Sequence, residues 1–552
     1  MTIITELTTL VATYPVYATV IGALAYTLVV KKLPWKWLNR NPKRLPSPPG
    51  PKGYPLIGSV FEMPTERSWI VYDQWFKKYG DMVYFEALGQ PFLVLGSLKR
   101  TGDLLEKRSS KYSDRLWLPM LIELMESDFN FGMLPYGQWW RRHRRSFKDH
   151  FNPEAIVNYR PIQLRSARSF LHRLLISPER FLDHITHTFG ATIMSVAYGI
   201  TVKESGDPYL ATGHESQKGA AAAGIPGSFL VDMVPALKYV PSWFPGAGFK
   251  KKAAHWRQAN QDLARIPFKY VEQQMVGNIT PSGSFDSLND ILLPDKSDPK
   301  YAEERKLAED VAAVSYVGMS SSIIFDRMFH GNPDDTSGGA DTTISTVQAF
   351  FMAMALYPEA QKKAQAQLDS VLGGKRLPDF NDRPSLPYIN AMIKESLRWN
   401  QVAPLAVAHV SSEDDEYDGY FIPRGTIVMG NGWTILHDPE EFQDPYTYNP
   451  DRYLKDGQLN PNVRGPEAAA FGFGRRMCPG RHMNDSGLYC LFSSILSVFD
   501  IKPPVDESGN PVQLKPEFTS GMLSYPVPFK CIITPRSPAA AALIREGIEM
   551  NH

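Results

Sequence analysis

Apolar residues recur three and four positions apart over long stretches of the chain, the spacing that gathers them on one face of a helix. Such patterns run over 67–78, 139–151, 340–372, 388–399 and 484–499. Shorter runs at 82–86, 91–95, 420–423 and 426–429 are rich in β-branched and aromatic residues and predict strands. The balance predicts a mainly α body with a small β-sheet portion, not an alternating α/β wheel. No linker, repeat or low-complexity tract divides residues 60–536, which read as one catalytic-sized body followed by a C-terminal tail, 537–552.

The N-terminal end has a different pattern. Residues 7–30 carry no charged side chain, enough helix to cross a hydrocarbon core of about 30 Å. A secretory signal needs a basic start and a shorter apolar run, and here Glu6 is the only charged side chain before it. Residues 1–30 therefore read as a retained, single-pass transmembrane anchor. Lys31, Lys32, Lys36, Arg40, Lys43 and Arg44 follow with no acid among them, which predicts a cytoplasmic body on that side. Trp35 and Trp37 suit the headgroup zone, and five prolines in 45–59 predict a stiff extended spacer, so that 31–59 form a basic, proline-rich linker.

Composition narrows the chemistry. With 552 residues, 43% hydrophobic and 21% charged, the chain is neither disordered nor fibrous. Lys plus Arg is 59 against 58 Asp plus Glu, which excludes a nucleic-acid binder working through bulk charge. Three cysteines, Cys478, Cys490 and Cys531, exclude a disulfide scaffold and a four-thiolate metal site. Cys478 stands out. It lies in Phe471-Gly-Phe-Gly474-Arg-Arg476-Met-Cys478-Pro-Gly480, just before a predicted helix, where free N–H groups and the helix dipole favour a thiolate. The glycines allow tight turns and close backbone approach to something flat. A haem iron held by one shielded anionic sulfur needs this combination.

Phe471, Gly474, Arg476, Cys478 and Gly480 match F-x-x-G-x-R-x-C-x-G, and in this the chain resembles the haem-thiolate monooxygenases, the cytochrome P-450 superfamily. The likeness extends from the proline hinge to about residue 535, and its details are most similar to the fungal branch acting on lipophilic secondary metabolites. The resemblance implies haem b with Cys478 as the axial metal ligand. It implies a structural charge cluster of Glu395 and Arg398, three apart on one helix face, completed by Arg452 of Pro450-Asp-Arg-Tyr453. It implies that Trp140 and Arg144, in a basic and aromatic helix, reach a haem propionate, with His409 as a further propionate partner. The other cations of that helix suit docking of an acidic reductase. Gly338-Gly-Ala-Asp341-Thr342-Thr343 matches [AG]-G-x-[DE]-T-[TS], which assigns Thr342 and Asp341 to proton delivery during oxygen cleavage.

One segment departs from the family pattern. Residues 307–318 read as the first turns of a long helix, but 319–338, MSSSIIFDRMFHGNPDDTSG, contain Asn332-Pro333 and two glycines. Removing them joins Gly318 to Gly339-Ala340-Asp341-Thr342 in one helical pattern. Gly-Met-Ser can be coded GGTATGTCN, with a GTATGT donor, and Ser-Gly TCAGGT, with a CAG acceptor. The segment therefore reads as a translated, retained intron, with a lineage-specific loop as the rival.

The chain contains no flavin or NADPH module, so electrons must come from a separate protein. The expected activity is insertion of one atom of dioxygen into a lipophilic small molecule, with NADPH electrons delivered by a flavoprotein reductase at the endoplasmic reticulum membrane. The rivals are an electron-independent haem-thiolate isomerase or dehydratase, and a catalytically inactive member disabled by 319–338. Asp341-Thr342 speaks against the first, because such chemistry needs no oxygen-cutting relay. Pocket walls are expected from 116–131, 205–244, 402–408 and 519–524, which are largely apolar.

Overall fold

A computed structural model describes residues 40–55, 57–224, 228–276, 296–319 and 342–549. Among these the helices dominate: α1 Ser68–Tyr79, α2 Gln138–Phe151, α3 Ile156–Ile176, α4 Phe181–Tyr198, α5 Pro208–Ala223 and α6 Gly248–Val276. They continue with α7 Tyr301–Met319, α8 Thr342–Leu356, α9 Pro358–Leu372, α10 Pro387–Trp399, α11 Arg481–Val498 and α12 Pro538–Glu549. Strands β1 Met82–Ala87 and β2 Gln90–Leu95 form a hairpin that extends through β6 Ile427–Gly430 to β3 His409–Val410. Its two-residue turn, Leu88-Gly89, has both residues at positive φ, the twist a tight hairpin needs. Across the hairpin Phe85 and Phe92 stack at 5.0 Å.

The expected mainly α body with little sheet is what is observed, with three corrections. The pattern over 340–372 is two helices, because Pro358 cannot donate to an ongoing ladder and instead opens α9 at its first turn. Most of the expected C-terminal tail is a packed helix: α12 lies on α3 and buries Ala540 and Ile544 in the main core. The proline-rich stretch is extended but not a free spacer. Phe421 N–H donates to Pro46 O and Tyr84 N–H to Pro49 O, while Arg40 and Lys43 pair with Asp414 and Glu416. The expected anchor, 7–30, and the suspected insertion, of which 320–338 are involved, lie outside the described residues; among those described, no helix is long and apolar enough to cross a membrane.

The main core surrounds α8, whose buried Phe350 stacks on Phe492 of α11 at 3.8 Å. Behind it α10 brings three charges together. Glu395 and Arg398, both fully buried (0%), share two hydrogen bonds of 2.8 Å, and Arg452 Nε donates to both Glu395 oxygens at 3.1 Å. Arg398 also donates to the carbonyls of Leu436 and Pro445, and Arg452 to that of Gln443. One carboxylate thus organises two guanidiniums, and these in turn fasten the 436–447 loop. Glu395→Gln leaves both cations without an anion and is expected to destabilise the protein by about 3–5 kcal/mol. Denaturant unfolding checks this, and an unchanged midpoint refutes the role.

Candidate functional site

The cysteine loop closes on itself: Cys478 N–H donates to Phe471 O at 2.8 Å, so the loop begins and ends at one point. Gly474, at φ +56, lies so close to the helical turn Gly102–Lys107 that a Cβ would stand 2.0 Å from Leu105 O. Gly480 is different. It precedes α11 with ordinary backbone angles, and a Cβ there would stand 3.9 Å from Cys478 Sγ. Fold packing does not exclude a side chain at 480; a partner bound at the sulfur would. Cys478 itself is partly exposed, whereas burial pushes both Cys490 and Cys531 up to about 12. Of the three thiols, only Cys478 sits where a thiolate can be held.

Around this loop the structure gathers cations. Arg476 donates to Ser113 O and Leu134 O at 2.8 Å and lies over the Trp140 ring at 4.4 Å. Arg144 reaches Met477 O, the residue before the cysteine. Arg115 donates to Gly132 O, Val407 O and Ala408 O, and His409 shares its Nδ1 with Tyr112 O at 2.6 Å. Burial, then the neighbouring Arg115, holds His409 well below the usual imidazole range. Burial likewise lowers Arg115, Arg144 and, to about 10, Arg476. The adjoining acid, Asp114, accepts the backbone N–H groups of Arg115 and Tyr136 at one oxygen, and its charge raises Arg115 and Arg476 without overcoming the effect of burial.

Cations buried beside one another without matching anions are unfavourable unless an anionic guest belongs there. A thiol for one axial position and a buried cationic set beside it fit a haem with its two propionates. Arg115 had not been singled out from the sequence. Its one signal is an arginine standing directly before the apolar run 116–122.

Thr342 opens α8 and is partly buried; Asp341 lies outside the described residues. One turn on, buried Ser345 donates to Ser524 O at 2.7 Å and accepts from Asn400 Nδ2 at 3.0 Å. That pair of bonds ties the start of α8 to α10 and to the 519–524 wall. The four expected walls do meet. Leu118, Met120, Ile122, Ala223 and Val231 form one apolar cluster, and Ala221, Val402, Leu523 and Tyr525 another.

The unbalanced cations make a prediction with two signs. Arg115→Met is expected to stabilise the haem-free protein, by removing a buried unpaired charge, and to weaken haem retention. Denaturant midpoints of haem-free protein and haem content after dialysis measure the two effects. If both fall together, Arg115 is a packing residue.

A family model described as "Cytochrome P450" matches residues 48–277 and 334–532. The chain is 47% identical over 502 residues to cytochrome P450 monooxygenase COX2 of Coprinopsis cinerea, covering 91% of each protein. It is 40% identical to cytochrome P450 monooxygenase COX1 of the same fungus, over 92% of this chain and 94% of that protein. Tryptamine 4-monooxygenase of Psilocybe cyanescens is 39% identical over 90% of this chain and 94% of its own. With a single ligand-competent thiol, a cationic cradle beside it and this likeness over nine-tenths of its length, the chain belongs to the cytochrome P450 family of haem-dependent monooxygenases.

Proposed function

We propose that this protein is a membrane-anchored monooxygenase that inserts one atom of dioxygen into a lipophilic small molecule, with NADPH electrons arriving through a separate flavoprotein reductase. The observation that carries the reading is the meeting of Cys478 with buried Arg115 and Arg476 and partly buried Arg144, whose guanidiniums bond to backbone carbonyls and, among the described residues, to no carboxylate. Cys478 would supply the thiolate that holds the iron of haem b; Phe471, Gly474 and Gly480 shape its loop. Arg476, Arg115, Arg144, Trp140 and His409 hold the propionates. His409 in its neutral form spends its Nδ1 proton on Tyr112 O, so it donates from Nε2 only when an anion favours its second proton. Bound haem supplies the oxygen-activating chemistry. The chain's own residues exclude water with the apolar walls and deliver protons through Thr342 and Asp341, the part of Asp341 resting on its motif alone. Exposed Arg141, Arg145, Lys148 and Arg475 give the cysteine side a positive face for an acidic reductase.

Two further observations bear on the membrane and the guest. Residues 230–243 expose Leu230, Met233, Tyr239 (78%) and Trp243 (80%), an apolar patch suited to lipid. One relative is named for tryptamine, a small aromatic amine.

The working form lacks residues 319–338. Helix α4 lies against both α7 and α8. Phe181 packs on Phe351 at 5.1 Å; Thr188, Phe189 and Thr192 share a cavity with Thr343; Tyr198 lies in the field of Glu309 and Tyr316. From Phe181 to Tyr198 the helix advances about 25 Å, or roughly 17 residues. A single antiparallel partner starting at Phe351 would reach about residue 334 over that distance. The residues met there are Glu309 and Tyr316, about 20 positions earlier in the sequence. That offset equals the retained-intron segment. The family model also leaves 278–333 unmatched, which takes in most of it.

Thr342→Ala is expected to bind haem and substrate normally while product falls, hydrogen peroxide rises and NADPH consumption continues; loss of haem instead makes Thr342 structural. Product formed without NADPH and reductase would replace the monooxygenase reading with an electron-independent rearrangement. The variants are run with and without 319–338, and only the shortened form is expected to couple well; a transcript uniformly carrying the sixty bases, with an active full-length product, refutes the insertion reading. Removal of residues 1–30 is expected to release the body from membranes only in part, and full solubility at low salt contradicts lipid contact at 230–243.

A further inference from the structure

The turn 120–127 belongs to the apolar wall, and its polar ties to other elements run in one direction. Helix α6 sends three side chains to it, Arg257, Asn260 and Gln261, whose spacing puts them on one face. Arg257 Nε donates to Leu124 O at 2.8 Å and pairs with one Glu126 oxygen, while Gln261 Nε2 donates to the other at 2.6 Å. Asn260 lies between them and is buried (2%). Its Nδ2 donates to Met125 O at 2.7 Å and to Ser127 Oγ at 2.8 Å, and its Oδ1 accepts the hydroxyl of Ser216 on α5 at 2.6 Å. Met125 O can only accept, so it fixes which way the amide points. One side chain thus joins three elements with both its polar atoms used.

Packing agrees with the hydrogen bonds. A Cβ at Gly219 of α5 would stand 2.5 Å from Trp256 Cγ of α6 and 2.7 Å from Met125 Cε, so all three elements touch at that glycine. Among the described residues, the hydrogen bonds and ion pairs that leave 120–127 go to α6 and to the 230–239 segment, and none goes to α8, α10 or α11. Glu126 is held at φ +52, a left-handed backbone that a glutamate rarely adopts and that its two partners on α6 help to maintain. We infer that Asn260 is a positioning residue that makes the 120–127 wall and the α5–α6 pair one block, so that a guest enters on this side only by moving all three together. The inference rests on the monooxygenase reading in taking these elements as walls of the substrate pocket.

The consequence is kinetic. With Asn260 in place, displacing the turn strands a buried carbonyl and two hydroxyls, so the turn travels with α5 and α6. Without the amide, those groups are already unpaired, and the strained turn can give way while the helices stay packed. Entry and exit of a guest then both become faster. A residue that merely shaped the pocket would behave differently: its loss would speed exit through weaker contacts and leave entry as it was.

The test uses the haem-loaded full chain, with two readouts: native-state hydrogen exchange, and stopped-flow binding of the bulky azole clotrimazole followed by its Soret shift. In the wild type the bonded amides of Ile122, Met125 and Ser127 are expected to open together with those of α5 and α6, with the same denaturant dependence. In Asn260→Ala the three turn amides are expected to exchange about tenfold faster while α5 and α6 keep their rates. Azole association is expected to rise about fivefold or more, and dissociation with it. Ser127→Ala removes one of the three bonds and is expected to act in the same direction by about threefold; it decides the matter if Asn260→Ala does not fold. Turn amides that already exchange faster than α5 and α6 in the wild type, or an association rate that is unchanged or lower in both variants, overturn the inference. The carbon monoxide spectrum of each reduced protein is recorded alongside. A wild type without a thiolate-haem band counts against the monooxygenase reading itself, and the exchange data, which need no haem, then decide the block alone.

Discussion

Buried charge has to be matched, and this chain matches it within the protein in one place and leaves it for a guest in another. Glu395 sits between Arg398 and Arg452 with its two oxygens fully used, and the guanidiniums spend their remaining donors on loop carbonyls. Arg115, Arg476 and Arg144 are likewise held by carbonyls, yet among the described residues no carboxylate bonds to them, and Asp114 alone lends its charge to the first two. The first cluster is therefore part of the scaffold. The second is a cradle whose sign calls for an anion, and Cys478 beside it supplies the second requirement of a haem, an anionic sulfur.

Position along one helix links the scaffold to the chemistry. Helix α8 begins at Thr342 and is pinned one turn later by Ser345, whose partners belong to α10 and to the 519–524 wall. The charge cluster on α10 therefore helps fix where Thr342 stands. Helix α4 runs beside both α7 and α8, with Phe351 at one end and Glu309 and Tyr316 at the other, which is the ground for proposing that a single helix passes there once 319–338 are removed.

Much of this was legible from the sequence, and what was not has physical reasons. Helices with one apolar face, such as α1, α2 and α10, fall within a residue or two of their periodic patterns. Helix α4 has no clear period because it is buried on most sides, from Phe181 to Tyr198. Helices α3 and α6, for which no pattern was drawn, contain Pro161 and Pro267, each of which removes a donor from the helix ladder. In the site, residues joined by a short motif were found by spacing: Phe471, Gly474, Arg476, Cys478 and Gly480 lie within ten positions. Arg115 was not, since its meaning depends on the fold bringing Gly132, Val407 and Ala408 around one guanidinium.

The central claim is that Cys478, and no other thiol, completes a haem site whose cations await it. The carbon monoxide difference spectrum of the reduced protein tests this most directly, recorded for the wild type, Cys478→Ala and Cys490→Ala. The account predicts the strongly red-shifted Soret band of a thiolate-ligated haem in the wild type and in Cys490→Ala, and its disappearance in Cys478→Ala. A wild type without that band, or a Cys478→Ala protein that keeps it, would contradict the account.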